Sequence, residues 1–385
     1  AYEMSARLVG SEMCIRDRRR RCRKERFARS RHCLSVAVPA GGLLRSGEAG
    51  LESAAMQPER RTAARRNHSS GTVSPCTDQL GVIKNMLTFR TISISDREWI
   101  QKALQQSQYQ GCEYSFANNL AWYRGSDSRI ASFQGFYIIA AFDTPDGIPD
   151  VTVPSGSGDW DALLRELVET LCPNGEPLRF TGVTREMAAF LQQRFPDAVW
   201  QSDPAAYDYI YRTEDLITLK GKRYHKKRNH LHQFQERYNW TFAPLTAADQ
   251  DACIAFSAAL YNEKKGYDDR SSIVEQFAIH TFFTHWDTLG LCGGVLRVDG
   301  TLVGFSIGEP LNRDTFVTHI EKADIAYQGS YTALTQAFTA QFAKDYRYIN
   351  REEDLGIAGL RQAKASYYPV YLLEKGDLVI PASMR

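Results

Sequence analysis

From Thr88 onward the hydrophobic pattern spells one order of elements twice, and this doubling restricts the fold more than any single motif does. The first passage predicts a strand at Leu87–Ile94, a helix at Asp96–Leu104 with Asp96 as its N-cap, and a second helical stretch at Tyr114–Tyr123. Strands follow at Ile130–Phe133, Phe136–Phe142 and Asp150–Val153; Pro154-Ser155-Gly156-Ser157-Gly158 then leads into a helix at Asp159–Leu171. A strand at Leu178–Gly182, a helix at Glu186–Phe195 and a strand at Tyr207–Tyr211 complete the passage. The second passage repeats the order: strand Trp240–Pro244, helices Ala247–Glu263 and Ser272–His285, strands Gly293–Val298, Leu302–Glu309 and Phe316–Glu321. Helix Tyr331–Lys344, strand Tyr346–Ile349, helix Ile357–Ser366 and strand Val370–Glu374 close it. Both halves thus read βααβββαβαβ, a repeat of element order rather than of residue identity. Turn chemistry agrees, with Asp299-Gly300 a strong two-residue hairpin signal and Gln134-Gly135 a weaker one. The domains expected are a leader at 1–85, a first repeat at 86–212, a basic connecting helix at 213–239 and a second repeat at 240–385.

Charge separates the leader from the rest. Residues 1–85 carry about 17 Lys and Arg against about 8 Asp and Glu, so a chain of net charge +2 has an acidic body near −7. The leader holds the run Arg18 to Arg21, four of the eight cysteines and no sustained period. Its segment Ser5-Ala6-Arg7-Leu8-Val9-Gly10-Ser11-Glu12-Met13-Cys14-Ile15-Arg16-Asp17-Arg18 resembles translated sequencing-adaptor read-through, which implies an artefact and a start at Met86. The other reading is a disordered basic arm; either way the leader is expected to pack on nothing. The run Cys33 to Val38 imitates a secretory signal, but it is short and broken by Pro39 and Gly41-Gly42. Beyond the leader no apolar run approaches the ~18 residues of a membrane helix. A cytoplasmic protein is the expectation, with Cys112, Cys172, Cys253 and Cys292 as reduced thiols, since none sits in a CxxC pair.

The most distinctive local sequence is Tyr348-Ile349-Asn350-Arg351-Glu352-Glu353-Asp354-Leu355-Gly356, continuing through Gly359-Leu360-Arg361-Gln362-Ala363-Lys364-Ala365-Ser366-Tyr367-Tyr368-Pro369. A strand here ends in a burst of charge and leads to a helix on which Arg361, Lys364 and Tyr367 share one face. Together with Thr318-His319-Ile320-Glu321-Lys322-Ala323-Asp324, Gln328-Gly329 and Gly111-Cys112-Glu113-Tyr114-Ser115-Phe116-Ala117-Asn118, it resembles a bacterial domain family of unknown function. That family is related to the C-terminal domain of phosphatidylglycerol lysyltransferase and, more distantly, to the Fem-type aminoacyl transferases. The resemblance covers residues 86–380. It implies an α/β (α+β) fold of two tandem GNAT-like repeats, each a mixed, mainly antiparallel sheet flanked by helices.

Acyl transfer to an amine or hydroxyl requires a base for the acceptor's proton and donors for the developing oxyanion. By resemblance, Glu321 at a strand end is the candidate general base and Tyr367 the candidate general acid; the competing readings pair Glu321 with Lys322 or Arg351 and pack Tyr367 above Pro369. Arg351, Glu352, Arg361 and Lys364 are candidates for binding substrate, their cations suiting a phosphate, phosphatidyl headgroup or carboxylate. Equally, Arg361 can pair with Glu353 or Asp354. Glu113 and Asn118 are candidates for contact with substrate across the cleft between the repeats.

The one intensely basic patch outside the leader contains Lys222, Arg223, Lys226, Lys227 and Arg228, and it reads either as a solvated helix or as a polyanion site. Aminoacyl-tRNA and an anionic lipid headgroup are the partners considered. His225, His230 and His232 lack the companions of a metal site, and no metal is expected. Acyl-CoA is the candidate cofactor of the alternative reading. Its phosphate cradle would be Gly156-Ser157-Gly158, or Gln328-Gly329-Ser330-Tyr331, where Tyr331 stands in the way. The expected function, implied by the resemblance, is aminoacyl transfer, with aminoacyl-tRNA as the candidate donor and an amine or headgroup as acceptor. The alternatives are an acyl-CoA N-acyltransferase and a non-catalytic module binding RNA or an anionic ligand.

Overall fold

The computed structural model describes residues 87–262 and 269–382; the expectations for residues 1–85 and for the start at Met86 lie outside them. In the first half the elements are β1 (Arg90–Thr91), α1 (Arg97–Ser107), α2 (Phe116–Trp122), β2 (Ser128–Phe133), β3 (Phe136–Ala141), β4 (Asp150–Gly156), α3 (Trp160–Leu171), β5 (Leu178–Thr184), α4 (Arg185–Gln192), β6 (Val199–Ser202) and β7 (Asp208–Arg212). Helices α5 (Thr213–Thr218) and α6 (His225–Arg237) connect the halves. The second half runs β8 (Trp240–Pro244), α7 (Gln250–Asn262), α8 (Asp269–Thr284), α9 (Trp286–Leu289), β9 (Cys292–Val298), β10 (Thr301–Pro310), β11 (Thr315–Ala323), α10 (Ser330–Phe342), β12 (Tyr348–Asn350), α11 (Ala358–Ala365), β13 (Tyr371–Leu373) and β14 (Lys375–Ile380).

Local chemistry sets these boundaries. Both hairpins have two successive residues of positive φ, 49° and 80° at Asp299-Gly300 and 43° and 91° at Gln134-Gly135, the geometry that matches strand twist. Ser115 Oγ accepts the Asn118 N–H at the start of α2, and the Asp159 carboxylate accepts two N–H groups at the start of α3. Asp96 stands before α1, but its carboxylate turns back to the N–H of Ser93 in a capping box.

Each half contains one strand more than its sequence pattern shows, β6 and β14, and the extra pairing reveals how the halves are joined. The first sheet has the order β1-β2-β3-β4-β5-β14-β6 and the second β13-β7-β12-β11-β10-β9-β8. The last strand of each half therefore inserts between the last two strands of the other half's sheet. The division at residue 212 runs along the chain, whereas the sheets exchange β7 and β14 across it. Within each sheet one pair is parallel and the rest are antiparallel. The parallel pair β4–β5 is in register from Asp150↔Arg179 to Thr152↔Thr181, and β11–β12 from Thr315↔Tyr348 to Val317↔Asn350. Beyond those positions β4 and β11 continue without that partner, so each sheet splays open at the same place.

The largest apolar cluster lies between the halves, where Phe116 and Leu120 of α2 meet Ile279 and Phe282 of α8, with Phe305 and Ile320 of the second sheet. A second cluster lies on the first sheet around Phe180, Leu163 and Leu378. Among the described residues no helix is long and apolar enough to cross a membrane.

Leu378 of the exchanged strand is fully buried and faces Phe180 on β5 and Trp200 on β6. Leu378→Ala is expected to destabilise the protein by about 2–5 kcal/mol through the cavity it leaves. Because β14 comes from the second half of the chain and pairs with β5 and β6 of the first sheet, urea unfolding followed by fluorescence and by circular dichroism should shift as one coincident transition. Two separated transitions would show that the halves unfold independently.

Candidate functional site

Three residues singled out from the sequence come together where the second sheet splays. Glu321, late in β11, accepts a hydrogen bond at Oε1 from Arg351 Nη2 at 2.6 Å and another from Thr335 Oγ1 of α10 at 3.0 Å. Arg351 follows β12, and its guanidinium lies 4.9 Å from the Tyr367 ring centroid and 5.7 Å from that of Tyr211. Its Nη1 is buried with no hydrogen-bond partner among the described residues. Tyr367 is buried at the end of α11, its hydroxyl 3.5 Å from Thr332 Oγ1. The basic helix closes over this cluster: Lys227 Nζ lies 3.7 Å from the Tyr367 ring centroid, and Tyr224 donates to the Tyr367 carbonyl at 2.9 Å. Base candidate, acid candidate, guanidinium and basic helix are thus one locus.

Arg361 and Lys364 are engaged by other groups instead of joining the Arg351 guanidinium: Arg361 stays exposed, whereas Lys364 turns inward. Arg361 makes a two-pronged bond to Asp354, at 2.7 and 3.0 Å, and Asp354 also accepts from Tyr209 at 2.7 Å. Lys364 is buried and donates to the backbone carbonyls of Arg351 and Glu353, bracing the turn after β12. Burial lowers its pKa to about 8, against the pull of nearby Glu352. In the basic patch, Lys222 and Lys226 are exposed, Arg223 pairs with Asp215 at 2.9 Å, and Arg228 donates to the carbonyls of Leu219 and Gly221.

A second polar cluster is buried between the halves. Lys375, the first residue of β14, reaches Asp208, the first residue of β7, at 2.9 Å, Glu113 at 2.8 Å and Glu353 at 3.2 Å. Asp208 also accepts the Cys112 N–H and the Asn350 side-chain amide, both at 2.8 Å. Cys112, Asp208 and Glu353 could together hold a metal ion, and the Lys375 ammonium contacts all three. Asn118 is buried in the same region and donates from Nδ2 to the Cys112 carbonyl at 2.9 Å. Beside this cluster, His319 of β11 is clamped between Glu352 at 2.9 Å and Glu309 at 3.1 Å, its ring stacked on Phe282. Glu352 is fully buried and its carboxyl is raised by that burial, with the His319 bond opposing.

Sequence reasoning passed over Asp208, Lys375 and Glu309, and assigned no role to His319. The available signal was an acid within the strand Tyr207-Asp208-Tyr209-Ile210-Tyr211, where an unpaired charge would not be tolerated. At the two candidate phosphate cradles the groups are engaged internally. The Asp159 carboxylate occupies the first turn of α3, and the Gly156 N–H bonds Ser107 Oγ at 2.8 Å. Before α10, Gly329 has φ 91°, and a Cβ there would lie 2.4 Å from the His230 carbonyl oxygen, so α6 packs directly over this turn.

The family described as "Phosphatidylglycerol lysyltransferase, C-terminal" matches residues 104–375. A conserved protein of unknown function from Bacteroides thetaiotaomicron is 34% identical with a TM-score of 0.71, covering 77% of this chain and 100% of that one. The structure of L-PGS from Bacillus licheniformis is 17% identical with a TM-score of 0.52, covering 74% of this chain and 92% of that one. FemX is 9% identical with a TM-score of 0.53, covering 76% of this chain and 97% of that one. The latter two speak for the fold alone. With the two mixed, mainly antiparallel sheets, they bear out the expected GNAT-like fold class.

Burial by itself would lower the pKa of His319, but the hydrogen bonds to Glu309 and Glu352 outweigh it and raise the imidazole to about 9 from 6.5. A folded pKa above the unfolded one means that protonation stabilises the protein fully below pH 6.5, and that this stability is lost as pH rises through about 9. Unfolding free energy is therefore expected to fall between these values, with the imidazole still doubly protonated by NMR at pH 7.5. His319→Gln should flatten that slope. A neutral His319 at pH 7.5 would contradict this assignment.

Proposed function

The chain belongs to the phosphatidylglycerol lysyltransferase C-terminal family, and from that membership we propose that it is an aminoacyl transferase, carrying an aminoacyl group from aminoacyl-tRNA to an amine or lipid headgroup. The observation that carries the reading is the contact of the basic helix with the Glu321–Arg351–Tyr367 cluster, through Lys227 at 3.7 Å from the Tyr367 ring. A polyanionic donor held along Lys222, Lys226 and Lys227 would have its reactive ester near a carboxylate, a phenol and a guanidinium whose Nη1 has no partner among the described residues.

The roles follow from charge flow. Glu321 takes the proton of the acceptor as its nitrogen or oxygen attacks the ester carbonyl, and Arg351 Nη1 donates to the oxygen on which negative charge develops. The carbon–oxygen bond to the donor's ribose then breaks, and Tyr367 supplies the proton that the leaving hydroxyl needs. Arg361 and Lys364 support this chemistry by fixing the turn that carries Arg351. Aminoacyl-tRNA is preferred over acyl-CoA because the helix starts that would cradle a pyrophosphate are filled by Asp159 and by α6.

The test incubates the chain with aminoacyl-tRNA bearing a labelled amino acid and vesicles containing phosphatidylglycerol, with soluble amines in parallel. Label is expected to move to one acceptor, and Glu321→Gln should slow transfer by about 10²–10⁴-fold with tRNA binding retained. Transfer unaffected by both Glu321→Gln and Tyr367→Phe would remove the site from the reaction. Label moving to no acceptor although charged tRNA binds would favour a binding module.

Binding to tRNA is expected to weaken with salt, and replacing Lys222 and Lys226 by Gln should reduce the slope of log K against log salt by about 0.7–0.9 per lost phosphate contact. An unchanged slope would place the polyanion elsewhere.

A further inference from the structure

A cavity lined mostly by the first half, between α2 and the paired stretch of β4 and β5, also includes Glu353 of the turn after β12 but none of Glu321, Arg351 and Tyr367. Its mouth lies on the loop after β3, where Asp143 and Pro145 are exposed, and its inner wall includes Glu113, Asn118 and Trp122. Its charged lining residues are Glu113, Asp143, Asp150 and Glu353; Glu113 and Glu353 share Lys375 and Asp150 pairs with Arg179, so acids outnumber these cations around the cavity. A concave surface of one charge sign, bounded by protein of low dielectric, concentrates ions of the opposite sign.

Three buried polar atoms of these lining residues have no hydrogen-bond partner among the described residues: Glu113 Oε1, Asn118 Oδ1 and Trp122 Nε1. Asn118 and Trp122 are 5% and 4% exposed, and buried polar atoms are rarely left unsatisfied in a native protein. The other ends of two of these groups are already fixed. Glu113 Oε2 is held by Lys375 at 2.8 Å and Asn118 Nδ2 by the Cys112 carbonyl at 2.9 Å, so neither group can turn to satisfy itself. Gly182 shapes the wall: it has φ 67°, and a Cβ there would lie 2.3 Å from Glu113 Oε1.

We infer that this cavity binds a small primary ammonium that carries a neutral acceptor oxygen. The ammonium supplies N–H donors and positive charge to Glu113 and Asn118, and the oxygen accepts from Trp122 Nε1. The same lining repels a carboxylate, so a free amino acid is a poor ligand while an amino alcohol is a good one. This inference stands apart from the transferase reading, since it concerns binding at residues other than Glu321, Arg351 and Tyr367.

The probe is ethanolamine, titrated into the whole chain labelled with 5-fluorotryptophan and followed by fluorine NMR and calorimetry. It is expected to bind one site and to move the Trp122 resonance, assigned by its loss in Trp122→Phe. Ethylene glycol, which lacks the charge, and glycine, which adds a carboxylate, should not compete. Glu113→Gln, which keeps the shape and a bond to its neighbours, should weaken binding by at least about tenfold. Trp122→Phe should abolish the preference for ethanolamine over ethylamine while ethylamine still binds. The inference is overturned if glycine or ethylene glycol binds as well as ethanolamine, if magnesium or calcium saturates the site in its place, or if ethanolamine binds both variants as it binds the parent chain. Loss of label transfer in the preceding test would leave these outcomes unaffected.

Discussion

The ion pair between Lys375 and Asp208 is the interaction on which the arrangement of the two halves depends. Both residues are completely buried, and they are the first residues of the two strands that cross between sheets. Burial alone would lower the Lys375 pKa, but Asp208 and the neighbouring acids hold it well above its ordinary value. A buried pair of this kind gains little over an apolar contact, yet removing one partner strands an uncompensated charge at a cost of about 3–5 kcal/mol. Its physical effect is one of register. It ties the start of β14 to the start of β7, so each exchanged strand enters the opposite sheet at one position, and the remaining contacts between α2 and α8 follow.

The same constraint explains why the polar groups collect where they do. A parallel pair that separates after a few residues leaves backbone and side chains facing a wedge that no regular pairing can fill. In the second sheet the wedge holds Glu321, Arg351 and Tyr367, and the turn beside it is costly backbone: Glu352 and Leu355 have φ of 58° and 57°. Lys364 offsets that cost by bonding two carbonyls of the turn, and the His319–Glu352 bond anchors it from the other side. In the first sheet the wedge admits Glu113, one arm of which belongs to the Lys375 cluster and the other to the cavity.

Much of this was legible from residue pattern because most elements bury a single face. The repeated order, the Asp299-Gly300 turn and the convergence of Glu321 with Arg351 all follow from local spacing or from pairing of opposite charges near a strand end. Strand β14 was not legible, since Lys375-Gly376-Asp377 carries the composition of a turn and only a partner distant in sequence makes it a central strand. Strand β6 is short, with Val199 exposed, and lacks a clear alternation. Lys364 illustrates the opposite limit: helical spacing places it beside Arg361 correctly, but spacing does not say which cations face inward. That depends on the carbonyls of Arg351 and Glu353, which exist as a receptor only once the turn is folded.

The exchange of strands has a consequence for how the chain is made. Register pairs such as Val379↔Arg179 bring together residues two hundred positions apart, so the first sheet cannot close while the second half is still being synthesised. Until then β5 and β6 present unpaired edges with a strand-wide gap between them, which is the kind of surface that pairs wrongly with other chains. The first half therefore leaves the ribosome as an unfinished sheet, which only the last-made strand can complete. A nascent-chain binding factor would be most needed in that interval.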